Sequence, residues 1–131
     1  MDTNSNSRPL SPHLQIYRPN LLMVMSILHR ITGAFLPVPV FLGIWWLAAL
    51  ASSQRYFAEV NGLLTSWPGR LVLVVSLYAL LHHAFSGLRY LVWDAGAGLD
   101  VPAARRLSLW TLFGAIATTL LVVAVFVIKA G

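Results

Sequence analysis

Leu71-Val72-Leu73-Val74-Val75-Ser76-Leu77-Tyr78-Ala79-Leu80-Leu81-His82-His83-Ala84-Phe85-Ser86-Gly87-Leu88 is a run of 18 residues without one Asp, Glu, Lys or Arg. Two more such runs lie on either side, Ile31 to Gln54 with 24 residues and Leu107 to Ile128 with 22. A helix needs roughly 20 apolar residues to cross the hydrocarbon core of a bilayer. The chain therefore reads as an all-α membrane protein with three transmembrane helices. Composition points the same way: 58% of the 131 residues are hydrophobic and 10% charged, where soluble domains carry about 25% charged residues.

Working outward, residues 1–20 are polar and broken by Ser11-Pro12 and Arg18-Pro19, and read as an arm. A three-helix anchor domain follows over 21–131, with helices expected over about 21–52, 68–93 and 104–128. Pro37 and Pro39 should kink or loosen the first helix, which a membrane tolerates when neighbours satisfy the freed carbonyls. Ala51 to Gly69 is expected to be a short connection, and Gly96, Gly98 and Pro102 break the chain after the second helix. There is little room for a catalytic domain.

The net charge of +5 does not suggest nucleic acid once positions are considered. Arg8, Arg18 and Arg30 precede or open the first helix, and Arg89, Arg105 and Arg106 flank the second loop; the other side receives Arg55, Arg70 and Lys129. By the positive-inside rule the N-terminus and second loop are cytoplasmic and the C-terminus is periplasmic. No short apolar segment resembling a secretory signal opens the chain, and no transit-peptide composition is present, so a bacterial inner membrane is the expected location. The absence of cysteine excludes disulfides, thiol chemistry and Cys-ligated clusters in this chain.

Ionisable side chains inside a membrane are costly and mark candidate functional sites. His82 and His83 are therefore the first residues to consider, histidine being the commonest metal ligand. At 3.6 residues per turn they point about 100° apart. His83 shares its face with Gly87, Tyr90 and Asp94, and His82 with Ser86, Arg89 and Trp93. Gly87 leaves room one turn after His83 for a planar macrocycle, which favours His83 over His82 as an iron ligand. On spacing alone, a histidine hydrogen-bonded within a helix bundle fits equally well. Adjacent residues cannot grip one iron from opposite sides, and His13 in the arm and His29 beside the charged interface are not at an obviously matching depth, which favours another polypeptide as the second donor.

Ser26, Arg30 and Gly33 share a face near the start of the first helix, with His29 bordering it. A hydroxyl and a guanidinium one turn apart can donate to a carbonyl oxygen and stabilise charge developing there, which suits a lipid-soluble quinone. An arginine that merely snorkels to the interface would look the same.

The stretches Arg8-Pro9-Leu10-Ser11-Pro12-His13-Leu14-Gln15-Ile16-Tyr17 and Ser26-Ile27-Leu28-His29-Arg30-Ile31-Thr32-Gly33 resemble the two N-terminal signatures of the large membrane-anchor, cytochrome b, subunits of succinate dehydrogenase. His83, Gly87 and Arg89, followed by Asp94, resemble that family's helix-two signature in order and spacing. The resemblance implies half of a two-subunit, haem-binding helical bundle. It makes His83 an axial ligand of haem b, with the second histidine from a small membrane-anchor subunit. It puts Ser26 and Arg30 at the ubiquinone site, His29, Arg30 and Arg89 near the haem propionates, and Asp94 toward the quinone side. It also implies a flavoprotein carrying FAD and an iron–sulfur subunit as partners, passing electrons from succinate to ubiquinone without this chain touching succinate. One departure stands out: the family commonly has a second histidine after the arginine, where this chain has Tyr90, so a propionate or proton-relay role is in doubt there. The resemblance assigns nothing to His82. Two other readings are an anchor of a quinol:fumarate reductase and a non-redox membrane adaptor with structural histidines.

Overall fold

The computed structural model describes Ile16 and residues 18–130. The first N-terminal signature, and most of the expected 1–20 arm, lie outside the described residues. Five helices follow in order: α1 (Leu21–Phe35), α2 (Pro37–Ser52), α3 (Gln54–Thr65), α4 (Trp67–Asp94) and α5 (Val101–Ala130). Among the described residues there is no strand. Three spans are long and apolar enough to cross a membrane: Leu21–Ser52, Trp67–Asp94 and Val101–Lys129.

The first span is α1 and α2 joined at Leu36. Asn20 starts α1, its Oδ1 accepting from the Met23 N–H at 2.9 Å, an ordinary helix N-cap. Pro37 has no N–H for the Gly33 carbonyl one turn earlier. Leu36 N–H compensates, donating to Thr32 O at 3.1 Å and to Gly33 O at 3.3 Å. The span is thus broken locally at Pro37 without abandoning the Gly33 carbonyl to lipid.

The connection over Ala51 to Gly69 is not a plain loop; it folds as α3. Ser53 is extended (φ −153°, ψ 150°) and caps α3 by accepting from Tyr56 N–H. Phe57, Val60 and Leu64 fall on one stripe that packs on α2, where Val60 and Leu64 join Ala49 in a small core flanked by Trp45 and Trp46. Two tryptophan N–H groups fasten the pair: Trp45 Nε1 donates to Tyr56 Oη at 2.7 Å and Trp46 Nε1 to Asn61 Oδ1 at 3.2 Å. The opposite face carries the exposed Arg55–Glu59 pair. Composition concealed this helix because a charged, amphipathic segment interrupts the apolar runs.

Ser66 ends α3 and caps α4, accepting from Gly69 N–H. Gly69 is needed there, because a Cβ would collide with the Leu63 and Leu64 carbonyl oxygens. After α4, Gly96 (φ +77°) and Gly98 (φ +67°) turn the chain in the left-handed region that glycine tolerates. Asp100 Oδ2 accepts from Ala103 N–H, and α5 begins at Val101, a few residues before the sequence-based boundary.

The α4–α5 pair forms the interior. Buried positions on α4 are Ser76, Ala79, His82, Ser86 and Arg89; on α5 they are Ala104, Ser108, Thr111, Ala115 and Thr119. Small residues at this spacing let membrane helices approach closely. The α5 hydroxyls Ser108, Thr111 and Thr119 each donate to the carbonyl four residues earlier, at 2.7–2.9 Å, and Ser108 also accepts from Arg89 on α4. Large apolar side chains such as Phe41, Ile44, Leu120 and Phe126 face outward, toward lipid or another chain.

Candidate functional site

The packing of α1 on α4 brings His29 and His83 together, although 54 residues separate them. Their rings stack with centroids 4.2 Å apart and planes 9° from parallel. His83 Nδ1 lies 3.3 Å from the His29 carbonyl oxygen, which also accepts from Thr32 Oγ1 at 3.0 Å. The close approach is possible because residue 33 has no side chain: a Cβ there would sit 2.8 Å from His83 Cε1. His83 Nε2 makes no hydrogen bond among the described residues and is not among the sealed polar atoms.

The glycine touching His83 is thus Gly33 on α1. At Gly87 a Cβ would meet nothing within 4 Å, so the chain leaves open space one turn beyond His83 and uses Gly87 for no internal contact.

His82 faces the other way. It is 0% exposed, its Nδ1 lies 3.4 Å from Tyr78 Oη, and its Nε2 is enclosed without a hydrogen-bond partner. Ser86, one turn later, is equally buried with an unpartnered hydroxyl. Arg89 completes this face at 4% exposure. Its Nη1 donates to Ser108 Oγ on α5 at 2.8 Å, and its guanidinium carbon lies 4.9 Å from the Trp93 ring centroid and 5.3 Å from that of Tyr90. A cation over aromatic faces in a dry site is well held. The two faces separated by helical phase are therefore distinct in the fold: His82, Ser86 and Arg89 are internal, whereas His83, Gly87 and Tyr90 are half-buried and Asp94 exposed.

Tyr90 lies beside His29, ring centroids 5.1 Å apart, and edge-on to Trp93 at 5.4 Å. His29, His83, Arg89, Tyr90 and Trp93 thus form one aromatic and cationic cluster where α1 meets the end of α4. Ser26 is half-buried and Arg30 exposed on the adjoining part of α1, and neither side chain bonds to another described residue. An open cleft of about 360 Å³ lies nearby, lined by Pro19, Asn20, Leu21, Leu22, Val101 and Arg105. Among the described residues no three His, Asp or Glu side chains converge as a metal site; Nε2 of His83 and Nε2 of His29 are the imidazole nitrogens there that are neither hydrogen-bonded nor sealed.

Sequence reasoning did not reach the Gly33–His83 contact, the His29 stack or the Arg89–Ser108 bond. Each depends on the register between helices distant in sequence.

A family model for the succinate dehydrogenase/fumarate reductase transmembrane subunit matches residues 4–123. The chain belongs to that family. Among its relatives, the succinate dehydrogenase cytochrome b556 subunit of Paracoccus denitrificans is 41% identical over 125 residues, covering 95% of this chain and 96% of the relative. The cytochrome b556 subunit of Rickettsia typhi is 37% identical over 98 residues, with 75% and 76% covered. The cytochrome b560 subunit of Reclinomonas americana is 38% identical over 100 residues, with 72% and 69% covered. As a member of the family, this chain is a multi-pass membrane subunit of a succinate dehydrogenase, and its site is to be read as that of an anchor.

Proposed function

We propose that this chain is the cytochrome b anchor of a succinate:ubiquinone oxidoreductase, with His83 as one axial ligand of haem b and Ser26 and Arg30 in the ubiquinone-reducing site. The observation that carries the reading is the contrast between the two imidazoles. His83 has its Nδ1 on a carbonyl and its Nε2 unpartnered and not sealed, as an iron ligand requires. His82 has its Nε2 enclosed inside the helix pair, where a macrocycle cannot reach. The residues fit the group, which when bound supplies one-electron exchange at iron.

In this reading the second axial histidine comes from a small anchor subunit, since no other described histidine faces His83 from the opposite side. His29 and Arg30 lie toward the propionates. Arg89 belongs with them in this reading: Nη1 is bonded to Ser108 and the guanidinium lies against Tyr90 and Trp93, while its buried Nε has no partner among the described residues. Electrons arrive from a flavoprotein with FAD through an iron–sulfur subunit on the cytoplasmic side of a bacterial inner membrane. Ser26 and Arg30 donate to a quinone carbonyl as negative charge develops on it. The cytochrome b naming of the relatives supports the haem, and their succinate dehydrogenase naming favours succinate oxidation over fumarate reduction.

The test is spectroscopic. In the purified complex His83→Ala should lose or loosen the b-type haem, while His82→Ala should keep it. Equal haem content and equal reduced spectra in the two variants would reject the assignment.

A further inference from the structure

His83 belongs to α4, but its ring is held by α1. A carbonyl oxygen only accepts hydrogen bonds, so the 3.3 Å contact with His29 O places the imidazole proton on Nδ1. The lone pair is then on Nε2, which stands farther from Gly33 than Cε1 or Nδ1 does and is not among the sealed atoms. The ring lies so close to α1 that Cε1 and Nδ1 would stand 2.8 and 3.2 Å from a Cβ at residue 33, so the bare Cα is what admits it in this position. The His29 ring covers one flat side. His29 and Gly33 are one helical turn apart, so the carbonyl, the covering ring and the bare Cα form one continuous stripe.

We propose that the His29 carbonyl and the bare Cα of Gly33 form a cradle on α1 that sets the tautomer and orientation of His83 toward the iron. Ligating histidines characteristically donate their other N–H to an acceptor, which fixes the ring and raises its basicity. Here the acceptor is a backbone carbonyl on a different helix, shared with the Thr32 hydroxyl. The Gly33 and Thr32 side-chain positions therefore act as positioning residues through His83. The inference rests on the assignment of His83 as an iron ligand.

The experiment uses the assembled complex with three single substitutions. Gly33→Ala should retain haem but shift its midpoint potential and the low-temperature electron paramagnetic resonance of the oxidised state. Gly62→Ala, where a Cβ meets nothing within 4 Å, should match the parent in both. Thr32→Val removes a hydroxyl whose one proton is shared between the Leu28 and His29 carbonyls, at 2.8 and 3.0 Å, leaves the His29 oxygen to His83 and should lower the midpoint potential at unchanged haem content. Coincidence of Gly33→Ala with the parent in potential and resonance would overturn the cradle. Should Gly33→Ala fail to assemble, an unchanged potential in Thr32→Val overturns it instead. Full haem retention in His83→Ala would overturn the ligand assignment itself, a different failure from that of the cradle.

Discussion

Arg89 and Arg30 lie near one end of the bundle in opposite circumstances. Arg89 is enclosed, bonded to Ser108 and laid against two aromatic rings. Arg30 is exposed and bonded to nothing among the described residues. A buried cation with partners is committed to structure; an exposed one beside a half-buried hydroxyl is available to a ligand. Arg30→Ala and Ser26→Ala should therefore impair quinone reduction while leaving succinate oxidation with an artificial upstream acceptor intact. Loss of one charge-assisted hydrogen bond costs about 1.5–3 kcal/mol, a loss of roughly tenfold to a hundredfold in kcat/KM for quinone in Arg30→Ala. Unaltered quinone kinetics in both variants would remove these residues from the pocket. Periodicity was enough to separate His82 from His83, because residues within one helix have a fixed angular relation. It could not pair His83 with His29 or Gly33, because that contact needs the depth at which α1 crosses α4.

At the scale of the helices, α4 and α5 are joined by alanines and by α5 hydroxyls that donate to their own helix, with Ser108 also accepting from Arg89 across the seam. Such an interface depends on closeness. Ala115, 0% exposed on α5, has no room for a larger side chain, and overpacking a close-fitted core costs about 1–3 kcal/mol. Ala115→Leu should lower the thermal midpoint of the detergent-solubilised complex, whereas Ala117→Leu on the exposed face should leave it nearly unchanged. Matching melting curves would mean that this seam contributes little. The three spans were readable from charge-free runs because the bilayer imposes their length. The α3 helix was not, since a 12-residue amphipathic segment answers to packing on α2, through Trp45, Trp46 and Val60, and not to membrane thickness.

For the whole molecule, the arrangement of charge proposes an orientation. Arg30, Arg89, Arg105 and Arg106 gather at the end carrying the His29–His83 cluster, and Arg55 and Arg70 at the other. Because the chain has no cysteine, single substitutions give clean reporters. In intact cells a membrane-impermeant maleimide should label Arg55→Cys, and should reach Arg106→Cys only after the cells are opened. The reverse pattern would invert the topology and place the cluster away from any cytoplasmic electron donor.

The stacked histidines carry a consequence for biogenesis. A ligand side chain that must be ordered at the moment of capture loses rotamer freedom then; His83 has already lost it, to a helix of its own polypeptide. With His83 as the proposed iron ligand, this chain holds its half of the haem socket through its own α1.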